Sequence, residues 1–228
     1  MERSTPLPTD ADLRIIAIDG PAGSGKSTVA KRLADAVDLD YLDTGAMYRA
    51  VTWAAMSAGV DPADHEVLVE IATEADIDLG ADGTVVVNGE DATAEIRFRA
   101  VTQLVSVVAA NPDVRSELVA RQREWARKRG GGVLEGRDIG TVVFPTAKLK
   151  VYLTASSSAR AARRARDENT SDTRAVEADL DRRDALDSQR KADPLQQADD
   201  SYVLDTSDLT IDEVVDHLIE VFRERQPD

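Results

Sequence analysis

A glycine-rich segment near the start of the chain has the composition of a phosphate-binding loop. It reads D-G-P-A-G-S-G-K-S-T from Asp19 to Thr28, follows an apolar run that ends at Ile18, and satisfies the pattern G-x-x-x-x-G-K-[ST]. Small residues let backbone N–H groups converge on a polyanion. The predicted nucleotide-binding residues are Gly20, Pro21, Ala22, Gly23, Ser24, Gly25, Lys26, Ser27 and Thr28.

Two side chains of this loop would do most of the chemistry. Lys26 would place a positive charge against the outer phosphates, and the Ser27 hydroxyl would bind a magnesium ion that bridges them. We expect a helix to begin at Thr28, and the positive end of its dipole would help to bind the same anion. A chance glycine-rich turn is the alternative, and the strand-loop-helix setting argues against it. The loop alone does not specify the reaction.

A second segment, L-D-T-G-A-M-Y-R, follows a short predicted strand at Tyr41–Leu42. Thr44 would sit in a turn, and Tyr48 and Arg49 would lie one helical turn further on. Ligands of doubly wound sheets collect at the carboxyl ends of strands, so we expect Tyr48 and Arg49 to face a crevice there. A helix start with incidental Tyr and Arg would give the same spacing.

A third segment, E-G-R-D-I-G from Glu135 to Gly140, follows another predicted strand. Its adjacent Arg137 and Asp138 cannot pair well with each other, so each should contact a ligand or a distant partner. A salt-bridge network within the loop is the alternative.

Arginine also recurs at helical spacing further along the chain. Arg183, Asp187 and Arg190 would share one face of a long helix, although ordinary helix salt bridges use the same spacing and periodicity favours that interpretation. Arg160, Arg163 and Arg164 would share a face of an earlier helix. They could belong to a mobile lid that brings charge onto a phosphate or to a solvated surface, and the sequence leaves both open.

Composition limits the classes of function. The chain has 228 residues, 42% of them hydrophobic, and a net charge of −15, which argues against a nucleic-acid partner. It has no cysteine, which excludes thiol catalysis and cysteine-ligated metal. Neither of its two histidines has a second histidine at metal-ligand spacing. Without an apolar segment long enough for a signal peptide or membrane span, we expect a cytoplasmic protein with no membrane partner, and a monomer.

Charge is segregated along the chain. Between residues 50 and 96 there are eleven Asp and Glu and no Lys or Arg, whereas 22 of the 28 basic residues overall are arginine. The acidic block is typical of a solvated surface. Arginine suits forked contact with phosphate, although a bias in surface composition would produce the same ratio.

The order of elements predicts an α/β fold with a parallel central sheet covered by helices. Predicted core strands lie at Arg14–Ile18, Tyr41–Leu42, Gly132–Glu135, Leu149–Leu153 and Tyr202–Leu204. Small antiparallel strands at Ile77–Leu79 and Thr84–Asn88 interrupt this pattern and indicate an inserted subdomain. Asp61-Pro62 should begin one helix, and Thr210 with Glu213 should cap the last. Residues 1–12 should be a flexible tail.

In this order the motifs resemble those of the bacterial cytidylate kinase family. The resemblance rests on the phosphate-binding loop, L-D-T-G-A-M-Y-R-A, E-I-R at Glu95–Arg97 and N-P-x-V-R at Asn111–Arg115, and then on E-G-R-D-I-G-T-V-V-F-P and R-R-D-x-x-D-S-x-R. It covers most of the chain and is far more specific than the loop alone. It implies a P-loop kinase domain over residues 13–228, with a monophosphate-binding subdomain at about 60–98 and a lid at about 158–173.

The same resemblance implies the reaction and the site. ATP would donate a phosphoryl group to CMP or dCMP with Mg²⁺, in a site where Arg49 and Arg137 grip the acceptor phosphate. Thr44, Arg115 and Asp138 would recognise cytosine. The remaining implied residues are Tyr48, Ser106, Arg183, Asp187 and Arg190 for the acceptor, with Ser106 and Asp187 near the sugar, and Lys26, Arg160 and Arg164 for catalysis. Thr44 stands where relatives often have serine, and the lid segment 166–172 is acidic.

Other functions would share some of these features. A sister kinase for another monophosphate, shikimate or dephospho-coenzyme A would have the loop and a lid, but the Tyr48–Arg49 turn and the loop from Gly136 to Gly140 favour a nucleotide. A GTPase would need N-K-x-D, which does not occur. A non-catalytic ATP-binding module also remains open.

Overall fold

The computed structural model describes residue 10, residues 12–62 and residues 64–225. The strands are β1 (Arg14–Asp19), β2 (Tyr41–Asp43), β3 (Ile77–Leu79), β4 (Val85–Val87), β5 (Glu90–Asp91), β6 (Gly131–Gly136), β7 (Leu149–Thr154) and β8 (Tyr202–Asp205). The helices are α1 (Lys26–Val37), α2 (Thr44–Ser57), α3 (His65–Glu74), α4 (Arg99–Val108), α5 (Pro112–Arg129), α6 (Ser157–Asp167), α7 (Thr173–Gln189) and α8 (Ile211–Glu224). A 3-10 turn spans Glu95–Arg97, and a π-helical turn spans Ile139–Val143.

The central sheet has the order β2-β6-β1-β7-β8 and is parallel throughout. Strand β1 lies in the middle, with β6 on one side and β7 on the other. Its carboxyl end therefore lies beside the carboxyl ends of β2 and β6, so the loops that follow these three strands meet at one edge. This confirms the predicted α/β class and explains how distant motifs come together.

Both faces of the central sheet are covered by helices. Side chains alternate along β1, with Ile15 and Ala17 in the cluster that includes α2, α3 and α5, and Ile16 and Ile18 in the cluster that includes α1 and α8. A strand buried on both faces must be apolar at successive positions, which explains the unbroken run before the glycine-rich loop.

A small antiparallel sheet, with strand order β3-β4-β5, interrupts the α/β pattern where the sequence predicts an insertion. The third strand, Glu90–Asp91, was not predicted. Val85 and Val87 of this sheet pack with alanines of α2, which attaches the insertion to the helix that carries Tyr48 and Arg49. The residue limits predicted for the subdomain and the lid stay predictions.

Three predicted helix boundaries were wrong. Helix α3 begins at His65, where the Asp64 carboxylate caps the Val67 N–H, and not at Asp61-Pro62. Helix α1 begins at Lys26, two residues before the predicted start, because Gly25 adopts the left-handed conformation at its N-terminus. Helix α7 ends at Gln189, so Arg190 lies on extended backbone beyond it.

Thr210 and Glu213 form the predicted capping box of α8. Most of the predicted N-terminal tail, residues 1–9 and Ala11, lies outside the described residues. Of the rest, Asp10 accepts hydrogen bonds from Arg127 of α5, so this part of the segment is held against the domain.

Candidate active site

The glycine-rich loop connects β1 to α1 and passes very close to β7. A Cβ atom on Gly20 would stand 2.0 Å from the carbonyl oxygen of Leu153, so only glycine fits there. Gly23 and Gly25 both have positive φ, at 75° and 91°. The backbone therefore wraps tightly around one end of a cavity, as a phosphate-binding loop requires.

The back of this loop is clamped by α6 and α7. The Ala22 N–H donates to the carboxylate of Asp184 at 2.8 Å, and the Ala22 carbonyl accepts from Arg160 at 2.9 Å. Arg160 and Asp184 also form an ion pair with each other. The two peptide groups that flank Ala22 are thus fixed by one buried ion pair between two helices.

This arrangement bears on the role predicted for Arg160. Its guanidinium is buried behind the loop, and Arg160 does not line the cavity in front of it. Arg164, in contrast, lines that cavity and pairs with Glu168 at 2.6 Å. A direct contact of Arg160 with a transferred phosphate stays a prediction that its placement does not favour.

In front of the loop lies a cavity of about 880 Å³. Its floor is the loop from Ala22 to Thr28 together with the first turn of α1. Its walls are rich in guanidinium groups, contributed by Arg49, Arg97, Arg137, Arg163, Arg164, Arg166 and Arg183. At the far end the residues Leu209, Ile211 and Val214 supply an apolar surface. The cavity thus combines a phosphate cradle, concentrated positive charge and an apolar end.

A second, smaller pocket of about 90 Å³ opens between α2, α4, α7 and the loop after β6. It is lined by all ten residues that the resemblance implies for the acceptor, namely Thr44, Tyr48, Arg49, Ser106, Arg115, Arg137, Asp138, Arg183, Asp187 and Arg190. The structure therefore brings these ten residues together from five separate sequence segments. Within this pocket, the buried Tyr48 hydroxyl has no hydrogen-bond partner among the described residues.

Arg49, Arg137 and Arg183 line both cavities. Arg49 pairs with Asp43 at 2.7 Å, and Arg137 donates to Asp187 at 2.8 Å and to the Gly20 carbonyl at 3.1 Å. The three guanidinium groups thus stand at the junction between the phosphate-binding loop and the small pocket.

Of these three arginines, Arg183 has the positive charge that is least compensated by neighbouring groups. Within the described part of the chain its Nε atom is buried without a hydrogen-bond partner. Burial, and the positive charge of Arg137, lower the pKa of Arg183 to about 10. A buried cation with an unused donor is poised to receive an anion, because a bound anion would supply both the charge and the acceptor that it lacks.

The far end of the small pocket contains a second charge network. Asp138 forms an ion pair with Arg115, and Arg190 lies 3.5 Å from its other oxygen. Burial raises the pKa of Asp138, and the two arginines oppose that shift. The prediction that Arg137 and Asp138 do not pair with each other is confirmed. Arg137 pairs with Asp187, and Asp138 pairs with Arg115.

Near the sugar position predicted by the resemblance, the Ser106 hydroxyl donates to Asp187 at 3.1 Å. Asp187 therefore joins Ser106 of α4 to Arg137 of the loop after β6. These contacts run between elements, so they differ from the helix salt bridges that the spacing of Arg183, Asp187 and Arg190 would also fit.

Lys26 is buried at the base of the large cavity, where its ammonium group donates to the Pro21 carbonyl at 2.7 Å. Burial, and then the charge of Arg137, lower its pKa to about 7. Asp19, at the end of β1, has a pKa raised to about 7 by burial, although it accepts hydrogen bonds from the N–H groups of Ile139 and Gly140. Asp19 thereby fixes the turn after Arg137.

Oxygen ligands suitable for magnesium lie next to the loop. The Ser27 hydroxyl interacts with the buried Glu135 carboxylate, which also accepts a hydrogen bond from Tyr41 at 2.9 Å. Among the described residues no group of three His, Cys, Asp or Glu could hold a metal ion alone. Magnesium bound with a nucleotide usually has one or two protein oxygens, and phosphate and water complete its shell, so these residues fit it.

Sequence reasoning missed several residues of the site. Asp184 and Asp193 lie inside or next to a quoted motif, but a local pattern does not reveal that they contact Ala22 and Arg115. Leu209 lies between β8 and α8, and Ile211 is the first residue of α8. No sequence pattern marks these two apolar residues as part of a site.

Within the described part of the chain, no helix is long and apolar enough to cross a membrane. The family model described as cytidylate kinase matches residues 16–224.

Two curated relatives show the extent of the match. A bifunctional pantoate ligase/cytidylate kinase from Synechococcus elongatus is 50% identical in an alignment of 223 residues that covers 92% of this chain and 42% of that protein. A cytidylate kinase from Mycolicibacterium paratuberculosis is 50% identical in an alignment of 219 residues that covers 92% of this chain and 96% of that protein. The chain thus spans less than half of the first relative and nearly all of the second.

Among solved structures, a gluconokinase from Sinorhizobium meliloti 1021 matches with a TM-score of 0.51 at 15% identity, covering 93% of each chain. At that identity the likeness concerns the fold, which both chains share.

Proposed function

The chain belongs to the cytidylate kinase family, and we propose that it transfers a phosphoryl group from ATP to CMP or dCMP, giving ADP and CDP or dCDP. Half of its residues are identical to those of curated cytidylate kinases over more than nine tenths of its length. In support of this, two adjoining cavities are lined by most of the residues that would perform the reaction, although not by Arg160.

The junction of the two cavities is the observation that carries this proposal. Phosphoryl transfer brings two anionic nucleotides into contact, so their repulsion must be cancelled where they meet. Arg49, Arg137 and Arg183 line both cavities and lie at that place. A protein that only bound ATP would have no need for a second pocket behind a row of arginines.

The large cavity is suited to the donor. The loop N–H groups and Lys26 would hold the phosphates, and the apolar surface at Leu209 and Ile211 would cover the adenine ring. Ser27, with Glu135 beside it, would help to hold Mg²⁺, which when bound would neutralise part of the charge of the phosphates.

The small pocket is suited to the acceptor once internal contacts are exchanged. At about 90 Å³ it is smaller than a usual ligand site, and ion pairs fill it. An incoming phosphate would replace the Asp187 carboxylate as a partner of Arg137 and would meet the unused donor of Arg183. The acceptor would therefore complete the site that it occupies, and this would limit ATP hydrolysis in its absence.

The charge network at Asp138 is suited to cytosine. A carboxylate accepts a hydrogen bond from an exocyclic amine, and arginines donate to the ring carbonyl and nitrogen. Uracil presents a carbonyl in place of the amine, which would face the carboxylate without a hydrogen bond. Asp138 flanked by Arg115 and Arg190 provides both functions in one pocket.

The chemical step would then need little covalent assistance. Alignment of donor and acceptor can supply about 7–11 kcal/mol of the barrier reduction. Fixed cations would stabilise the oxygens of the moving group, since Lys26, Arg49, Arg137 and Arg183 are positioned around the junction. The γ-phosphoryl group would leave the ADP oxygen and bond to an oxygen of the acceptor phosphate in one in-line displacement.

The proposal is tested by incubating the protein with ATP and Mg²⁺ and each of CMP, dCMP, UMP, AMP and GMP, and resolving the diphosphate products. We expect CDP and dCDP to form fastest. ADP release without an acceptor diphosphate would instead indicate an ATPase, and binding of ATP without any ADP would indicate a binding module. Formation of ADP with another acceptor would indicate a sister kinase. A monomeric state and a cytoplasmic location stay predictions from the sequence.

A further inference from the structure

Asp193 holds two arginines of the small pocket from the side away from the pocket. Its carboxylate accepts a hydrogen bond from Arg115 Nε at 2.7 Å, and its backbone carbonyl accepts from Arg190 Nε at 2.6 Å. Asp193 itself is not among the residues that line the pocket. One residue thus fixes the Nε atom of each arginine.

These two contacts determine what the arginines present to the pocket. With its Nε held by Asp193, Arg115 directs a terminal nitrogen to Asp138. Arg190 keeps a terminal nitrogen, Nη2, that lacks a hydrogen-bond partner among the described residues and lies 3.5 Å from Asp138. Because a guanidinium is planar, a hydrogen bond at Nε fixes the orientation of the whole group and with it the directions of its terminal donors.

The backbone at Asp193 is unusual. Its φ is 47°, in the left-handed region that is uncommon for residues other than glycine, asparagine and aspartate, and Pro194 follows it. The segment is tied back to α7 by a hydrogen bond of 2.9 Å from the Leu195 N–H to the Asp187 carbonyl. This sharp reversal after α7 is what brings the carbonyl and the carboxylate of one residue to two arginines.

The charges of the network are balanced. Two guanidinium groups, Arg115 and Arg190, stand against two carboxylates, Asp138 and Asp193. Without Asp193 the same two cations would share Asp138 alone. More of its oxygen lone pairs would then be engaged by arginine, and fewer would remain for the exocyclic amine of a bound base.

We propose that Asp193 is a positioning residue for base selection: by holding Arg115 and Arg190 from behind, it keeps Asp138 available to accept a hydrogen bond from the amine of cytosine. The inference rests on the proposed function for the identity of the acceptor. It assigns to Asp193 no contact with the substrate, and it predicts an effect on the choice between CMP and UMP.

The test uses nucleotide binding by calorimetric titration, with CMP and UMP as the two probes. Asp193→Gly removes the carboxylate and adopts φ 47° without strain, so the backbone carbonyl should stay on Arg190. Asp193→Asn also tolerates this conformation and keeps an oxygen that can accept from Arg115. Asp199→Gly, at an exposed position in the following turn, is the matched control for a new glycine.

We expect the ratio of the UMP to the CMP dissociation constant to fall about tenfold in Asp193→Gly, which corresponds to the loss of one hydrogen bond to a charged group. The ratio should fall less in Asp193→Asn, and it should equal the parent value in Asp199→Gly. Asp193→Gly should lower the melting temperature, because the buried Arg115 loses a charged partner, whereas Asp199→Gly should not.

Several results would overturn the inference. One is a ratio of the UMP to the CMP dissociation constant in Asp193→Gly that stays within twofold of the parent value. Another is an equal loss of affinity for both nucleotides in that variant. A third is a parent chain that binds CMP and UMP with equal affinity. If Asp193→Gly does not fold, the same limits apply to Asp193→Asn. Because binding is read without turnover, failure of the proposed transfer reaction would appear separately, as a parent chain that selects CMP but forms no CDP.

Discussion

The carboxylate of Asp184 accepts a hydrogen bond of 2.8 Å from the backbone N–H of Ala22 and thereby joins α7 to the phosphate-binding loop. The next residue on one side, Arg183, lines both cavities, and Asp187 lies one turn further along the same helix. A single helix thus contacts the donor loop at one position and the acceptor pocket at adjacent positions. This placement makes α7 a physical connection between the two halves of the site.

Asp184→Ala should weaken ATP binding about tenfold, because the buried Ala22 N–H and the Arg160 guanidinium would lose a charged partner. CMP affinity should change less than twofold. Calorimetric titration with each nucleotide checks both values. Asp181→Ala is the matched control, since Asp181 is a more exposed partner of Arg160 at 3.4 Å and should have little effect. Unchanged ATP affinity in Asp184→Ala would show that the loop keeps its shape without this anchor.

Lys26→Ala should lower the rate of CDP formation at least a hundredfold, as expected when one preorganised cation is removed from a transition state. CMP binding should remain within twofold, because Lys26 lines the large cavity and not the small one. Steady-state assays and CMP titration measure the two quantities. Retention of most of the activity would contradict the placement of the donor phosphates at this loop.

Asp138→Ala should reduce turnover with CMP far more than it reduces affinity for ATP. The variant removes the acceptor for the exocyclic amine and leaves Arg115 and Arg190 with Asp193 as their remaining counter-charge. Since Asp138 lies in the small pocket and not in the large one, the donor side should be spared. Equal losses in CMP turnover and in ATP binding would refute the assignment of Asp138 to the base.

The lowered pKa of Lys26 makes ATP binding proton-linked. At pH 8.5 the free protein holds Lys26 largely neutral, because its pKa is about 7, while the phosphates of ATP are already fully ionised. Bound phosphates raise the pKa of the amine, so binding should take up protons. Titration in two buffers of different ionisation enthalpy measures this uptake.

The control for proton uptake is Lys26→Met, which should take up fewer protons on binding ATP. Asp19, whose pKa is raised to about 7 by burial, contributes uptake of the same sign in both proteins. Release of protons by the parent chain, or identical uptake by the two proteins, would contradict a buried neutral amine at this position.

Part of the site could be predicted because its interactions are between residues that lie close together in the sequence. The phosphate-binding loop combines residues that must be small with a cation and a hydroxyl at fixed spacing, and all of them act within eight positions. Asn111 capping α5 and the Thr210–Glu213 box are likewise local hydrogen bonds within a few residues. The parallel sheet could be predicted since a strand buried on both faces is apolar throughout.

The rest depends on contacts across the fold. Asp184 resembles any helix carboxylate until α7 is placed behind Ala22, and Asp193 resembles a loop residue until its φ of 47° brings it to Arg115. The role of Arg160 was ambiguous for the same reason. The face of α6 that carries it could pack inward or face solvent, and the structure shows it buried against Asp184.

The central claim is that two nucleotides bind side by side with their phosphates meeting at Arg49, Arg137 and Arg183. A molecule in which adenosine and cytidine are joined by five phosphates tests it most directly, by competition titration against ATP and CMP. We predict that one molecule per chain displaces both nucleotides, binds more tightly than either, and loses this advantage in Arg183→Met. Displacement of one nucleotide alone, or two molecules bound per chain, would contradict a shared junction.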